Sequence, residues 1–263
     1  MTKKSLEFIW PAYRRQEAAG MSEIQNQEPP HPSPLPRGER DGVRGGHLEF
    51  GIAKPIGSGY TGLGKGERHM ENSTTNILVA GVGGQGVILA SDIMSEVFME
   101  AGFDVKKSEI HGMAMRGGIV TSHFRFGKKV YSPIIKQGEV DLLFAFEQLE
   151  GLRWINHLRS NGKVIMNDHR INPPIVNLGE MEYPKGIPET IRSKFKDFYL
   201  VKGTEIALQI GDARAANVVL LGAISKFSDV KEEIWLNNIL KYLPAKVHEL
   251  NRKAFATGRD QIL

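Results

Sequence analysis

Two short segments of this sequence carry residue types suited to binding charged groups. The first is Gly81-x-Gly83-Gly84-Gln85-Gly86, a glycine-rich turn between an apolar run and a helical pattern. Glycines let a backbone approach a ligand closely, and a helix N-terminus behind them offers free N–H groups to an anion. Gly81, Gly83 and Gly86 match G-x-G-x-x-G, and Asp104 could be the ribose-binding acid expected about 20 residues later. The same glycines could instead serve only tight strand–helix packing. The second segment is Ser108-Glu109-Ile110-His111-Gly112-Met113-Ala114-Met115-Arg116-Gly117-Gly118. As a loop between two strands it could set Arg116 against a phosphate or carboxylate, with His111 as a side chain able to titrate. Equally, Glu109 and Arg116 could form an ordinary ion pair and His111 could be structural.

Beyond these segments no catalytic set is found. The sequence has no G-x-S-x-G elbow, no Walker A pattern and no H-E-x-x-H. Its 8 histidines are scattered, none at metal-ligand spacing. Asp168-His169 follows a strand end, and Asp141 and Glu147 flank an apolar run with no evident partner. The absence of cysteine rules out disulfides, thiolate nucleophiles and cysteine-held zinc or iron–sulfur clusters in this chain. Alone, the chain lacks the chemistry of a complete redox enzyme.

The elements that would position these residues begin at Asn76. Ile77-Leu78-Val79-Ala80-Gly81-Val82 is a continuous apolar run, as expected of a buried parallel strand. After the glycine turn, Val87, Leu89, Ala90, Ile93, Met94, Val97, Phe98 and Ala101 recur at helical spacing and Gly102 closes the helix. Further strands are predicted at 119–126, 140–146, 163–167 and 198–201, with a helix from about Leu149 to Leu158 ending near Asn161-Gly162. Two C-terminal helices are expected, roughly Thr204–Phe227 and Lys231–Thr257. The pattern predicts an α/β fold: a doubly wound, Rossmann-like, mostly parallel sheet in a single domain spanning about 73–263.

Residues 1–72 read differently. Segment 28–45 alternates proline with glycine and charged residues, which bars helix and central strand and leaves little apolar surface to offset ordering. A disordered extension is expected, with Met70 as a candidate natural start and the preceding residues as in-frame upstream DNA; mass spectrometry of the native N-terminus tests this. The net charge of +4 and pI near 9.1 come without a basic stripe, so no nucleic-acid partner is expected. No apolar run reaches the ~18–20 residues needed to span a bilayer, and charged residues interrupt any signal-peptide core. A cytoplasmic protein without a membrane partner is expected.

The same residues resemble a known family. Asn76 through Val87 is similar to the opening of the gamma domain of 2-oxoacid:ferredoxin oxidoreductases, and Ser108 through Gly118 resembles that domain's second loop. The His-Gly-Met-x-x-Arg-Gly-Gly form is similar to the indolepyruvate branch, where pyruvate-type chains usually carry Gly-Pro-Glu-x-Arg-Gly-Gly. Ser122–Gly127, Val130–Ile134, the Phe146-Glu147-x-Leu149-Glu150 segment and Arg214–Ala223 extend the likeness over nearly all of 76–255. The resemblance implies the small subunit of an indolepyruvate:ferredoxin oxidoreductase. Such an enzyme decarboxylates an aryl 2-oxoacid with CoA and passes electrons to ferredoxin. Thiamine diphosphate and Fe–S clusters would lie on a large partner subunit, and this chain alone would bind no cofactor. Gly83, Gly84, Gln85, Gly86, Glu109, His111, Arg116 and Gly117 are the expected ligand or subunit contacts, with no catalytic or metal residues among them. A gamma subunit for pyruvate or branched 2-oxoacids, and a free-standing nucleotide-binding α/β protein, are the alternatives.

Overall fold

Residues 74–112 and 117–262 are described by the structure, a computed structural model. The N-terminal extension and Arg116 therefore lie outside the described residues. Strand β1 (Thr75–Val82) leads through the glycine turn to helix α1 (Val87–Glu100). Strands β2 (Asp104–His111), β3 (Ile119–Gly127) and β4 (Val140–Ala145) follow, then α2 (Gln148–Trp154) and β5 (Leu158–Asn167). Two short helices, α3 (Pro174–Asn177) and α4 (Ile187–Arg192), precede β6 (Phe198–Val201). The chain then forms α5 (Gly203–Ile210), α6 (Ala216–Ser225), α7 (Glu232–Lys241) and α8 (His248–Arg259).

The sheet order is β2-β3-β1-β4-β5-β6. β1, β4, β5 and β6 pair in parallel, whereas β3 pairs antiparallel with both β1 and β2. Only β3 runs against the rest, so the mostly parallel reading holds within a mixed sheet. Helices cover both faces, which explains the uninterrupted apolar runs. Ile77, Val79, Leu142 and Phe144 face a core shared with α1 and α5 to α8. Leu78, Ala80, Leu143 and Val164 face a second core with Ile187 and Ile191 of α4, against which Leu149 and Leu152 of α2 pack.

Three expected elements are corrected. The two long C-terminal helices are four: Gly211 takes φ +113° and ends α5, and Pro244 lies between α7 and α8. The helix expected to reach Leu158 leaves the α form at Trp154, and β5 includes Asn161-Gly162, where its register on β4 shifts between Leu158 and Lys163. Ser108–His111, read as loop, belongs to the edge strand β2. Its polar sequence is explained by its place: Lys107 bonds Asp92 of α1, and Glu109 at 2.6 Å. Burial alone would lower the Lys107 pKa, but its two carboxylate partners outweigh that and raise it. Helices α6 and α8 touch at Gly222 and Gly258, where a Cβ would sit 2.1 Å from Phe255 O and 1.9 Å from Val219 O.

Candidate functional site

The sheet reverses its winding between β1 and β4, and the C-terminal ends of these strands form the crevice where α/β folds place ligands. The Gly83–Gly86 turn lies there. Gln85 N donates to Val82 O at 3.1 Å, and the Gln85 side chain completes the turn. Its Oε1 accepts from Val82 N at 2.8 Å and its Nε2 donates to Phe146 O at 3.0 Å, tying β1 to the end of β4. The amide expected to reach a ligand is thus engaged at both ends inside the protein. Gly81 admits no side chain, since a Cβ would fall 2.7 Å from Val87 Cγ2 and 2.8 Å from Phe146 Cβ. Gly86 begins α1 with φ +79°, and no side chain caps that helix. Gly84, at φ +100°, is exposed with open space around it. The turn therefore presents helix-terminal N–H groups beside an unobstructed glycine.

The C-terminal end of the second segment meets this turn. Gly83 N donates to Gly118 O at 2.8 Å and Gly117 N to Gly83 O at 3.3 Å, continuing the β1–β3 ladder beyond the strands. His111 ends β2 and is exposed; Gly112 N bonds Ile119 O at 3.0 Å. Glu109 stands two residues further back, its carboxylate held by Lys107 and, at 3.4 Å, by Ser91 Oγ. The expected turn glycines, Gln85 and Gly117 thus come together, His111 lies two strands away at the same end of the sheet, and Glu109 faces α1.

Asp104 lies elsewhere. It pairs with Gly127 at the start of β2, beside the N-terminal end of β1. A strand of this length is roughly 20–25 Å long, so Asp104 and the glycine turn occupy opposite ends of the sheet. Lys106 at 2.8 Å, Lys129 at 3.3 Å and Val130 N at 3.0 Å hold its carboxylate, whose pKa lies well below the usual range. The ribose-binding expectation fails on this geometry.

A third part of the crevice escaped sequence reasoning. Glu147 follows β4 and is almost fully buried. Its Oε1 accepts from Tyr183 Oη at 2.5 Å and Ile171 N at 3.1 Å, and its Oε2 accepts from Glu150 N at 2.9 Å. Tyr183 Oη also accepts from Leu149 N at 3.1 Å, and the Arg170 guanidinium carbon lies 4.2 Å from the Tyr183 ring centre. Burial, reinforced by the bond to Glu147, pushes the Tyr183 pKa far above the ordinary phenol value. Beside it, Gln148 Nε2 bonds Asp168 at 2.8 Å, while Asn167 Nδ2 reaches Phe146 O at 3.2 Å and Thr204 Oγ1 at 3.1 Å. Asp141, whose partner was not evident in sequence, bonds Asn76 N at 2.7 Å and pairs with Arg159. Tyr183 lies 36 residues beyond Glu147, and no local pattern signals the pairing.

The crevice can bind and position groups, but among the described residues it offers no activated nucleophile. Glu147 is spent on donors of its own chain. Among the described residues no group of three or more histidine, aspartate or glutamate side chains could hold a metal. With no cysteine in the sequence, the donor set does not fit an iron–sulfur cluster.

The family described as pyruvate ferredoxin/flavodoxin oxidoreductase matches residues 76–261. The chain is 35% identical over 193 residues to an indolepyruvate oxidoreductase subunit IorB of Pyrococcus horikoshii, covering 70% of this chain and 93% of that protein. It is 36% identical over 192 residues to the like-named subunit of Archaeoglobus fulgidus, covering 72% and 95%. Among solved structures, the keto/oxoacid ferredoxin oxidoreductase gamma subunit of Geobacter sulfurreducens matches with a TM-score of 0.53 at 25% identity, covering 71% of this chain and 97% of that one.

Proposed function

The chain belongs to the pyruvate ferredoxin/flavodoxin oxidoreductase family, and we propose that it is the small subunit of an indolepyruvate:ferredoxin oxidoreductase. The relatives above 30% identity carry the indolepyruvate name, whereas those named for 2-oxoglutarate, or for pyruvate and ketoisovalerate, fall to 25–27%. The chain acts as one subunit of an oxidoreductase, not alone. Thiamine diphosphate and Fe–S clusters belong in this reading to a large partner subunit, where an aryl 2-oxoacid is decarboxylated with CoA and electrons leave to ferredoxin. Among the described residues no helix is long and apolar enough to cross a membrane, and we place the complex in the cytoplasm.

One observation carries the role of this chain within the complex. The glycine turn and the C-terminal end of the second segment continue the β1–β3 ladder at the mouth of the crevice, beside an uncapped helix N-terminus, and His111 ends β2 at the same end of the sheet. We assign Gly83, Gly84, Gly86, His111 and Gly117 to the surface that meets the large subunit or an anionic group of CoA, with Arg116 adjoining them in sequence. Gln85 supports that surface from beneath, and Glu109 braces the neighbouring strand.

Affinity isolation of the full chain from its host tests the assignment. A cysteine-rich thiamine diphosphate protein that reduces ferredoxin with indolepyruvate should accompany it. A chain isolated alone and carrying a nucleotide would overturn it. In the complex, Arg116→Ala should lower turnover or assembly; unchanged values for both would remove Arg116 from the contact surface.

A further inference from the structure

Strand β2 forms one edge of the sheet, and its hydrogen-bonding pattern fixes which backbone groups it leaves unpaired. Gly83 N bonds Gly118 O across the β1–β3 ladder, and Gly112 N bonds Ile119 O across the β2–β3 ladder. Antiparallel ladders alternate bonded and non-bonded pairs. Even-numbered residues of β3 therefore bond β1, and its odd-numbered residues bond β2. By the register Ile110↔Thr121 and Ser108↔His123, the even-numbered residues of β2 turn inward. Val105, Lys107, Glu109 and His111 turn their N–H and C=O groups outward, to no strand among the described residues.

We propose that this outer edge pairs antiparallel with β2 of a second copy of the chain, about a two-fold axis at Ser108. A two-fold axis perpendicular to the sheet keeps like faces together, so outward-turned residues must oppose outward-turned residues. The long-overlap registers satisfying this centre on Lys107, Ser108 or Glu109. Centring on Lys107 opposes two ammonium groups, and centring on Glu109 opposes two carboxylates; both are unfavourable. Centring on Ser108 sets each Lys107 opposite Glu109 of the second copy. Each Lys107 already holds its own Glu109 at 2.6 Å, so two lysines and two glutamates alternate around the axis, each Lys107 being held from α1 by Asp92 as well. On the other face Ile110, 54% exposed, comes to lie along the aliphatic stem of Lys106 in the second copy. Lysine on an edge strand commonly blocks pairing with other strands. Here its placement two residues from glutamate selects a single self-complementary register.

The absence of cysteine makes the test clean. Ser108→Cys in the full-length chain places two thiols in a non-hydrogen-bonded pair, where Cβ atoms lie about 4.5–5.5 Å apart, near disulfide reach. Oxidation should yield a covalent dimer at least ~10-fold more readily than for Lys106→Cys or Ile110→Cys alone. A mixture of those two variants should cross-link, because 106 opposes 110. Val105→Pro removes an outward donor without touching the β2–β3 ladder, and should abolish the Ser108→Cys cross-link while the chain still melts cooperatively. Cross-linking of Ser108→Cys at the control level overturns the proposal, as does a cross-link from position 108 to a different subunit in the purified complex.

Discussion

Gln85→Ala isolates the bond network that holds the crevice together. Val82 is buried and loses the acceptor of its N–H at 2.8 Å, a loss worth about 1–3 kcal/mol. The Phe146 carbonyl loses the Gln85 donor but keeps Asn167 Nδ2 at 3.2 Å, so this part costs about 0.5–1 kcal/mol. Together the variant should lose roughly 1.5–4 kcal/mol. Asn167→Ala alone should leave the carbonyl satisfied by Gln85. The double variant orphans it, so its loss should exceed the sum of the singles by about 1–2 kcal/mol. Urea unfolding of the full chain, compared at constant m, measures all three. Gln85→Glu should fall between wild type and Gln85→Ala. It keeps the acceptor for Val82 N but turns an oxygen toward the Phe146 carbonyl. Additivity within about 0.5 kcal/mol, or a Gln85→Ala chain as stable as wild type, would refute the shared-carbonyl reasoning.

Other perturbations probe the remaining features. Tyr183→Phe removes both the donor to buried Glu147 and the acceptor for Leu149 N; a loss of about 2–4 kcal/mol is expected by urea unfolding, and a loss below 0.5 would show the clasp to be inert. Gly258→Ala forces α6 and α8 apart by roughly 1 Å and should cost about 3 kcal/mol, seen as a fall in Tm of roughly 6–12 °C; an unchanged melt would contradict the backbone contact. His123 accepts from Ile135 N at 3.2 Å through Nδ1, and its pKa is depressed by burial and then by His157, itself depressed by burial. The unfolded chain therefore binds more protons below the ordinary histidine pKa near 6.5. Stability should be level above that pH and decline as pH falls beneath it, by at most about 1.4 kcal/mol per pH unit from His123. Denaturant midpoints that stay constant from pH 8 to pH 5 would be the contrary result.

Much of this architecture is legible in the residue pattern because burial on both faces writes itself as an unbroken apolar run. Ile77–Val82 and Val140–Ala145 are recognisable on that ground. β2 is not, because Asp104–His111 is paired on one side only among the described residues and its α1-facing positions are filled by an ion pair instead of apolar side chains. The C-terminal helices merge in the sequence because helical periodicity continues across Gly211, where a left-handed residue stops the first of them. In the crevice, the glycines and the second segment announce themselves locally. The Glu147–Tyr183 bond depends on residues brought together from β4 and the segment before α4, a distance no spacing rule bridges. Asp104 shows the reverse error: its spacing suits a cofactor, but it begins β2, which runs parallel to β1, and so lies at the end of the sheet opposite the glycine turn.

The placement of β1 at the middle of the sheet also has a temporal meaning. Its Ile77 is paired on one side with Phe124 and on the other with Leu142, which is 65 positions later in the chain. A ribosome adding about 5–20 residues per second needs roughly 3–13 seconds to make that interval. Throughout it this apolar strand lacks its β4 neighbour, and until Gly127 has been added it lacks its β3 neighbour as well. Nascent chains of this protein should therefore be bound by chaperones until β4 emerges, and a ribosome stalled shortly before residue 140 should hold the most aggregation-prone form of the chain.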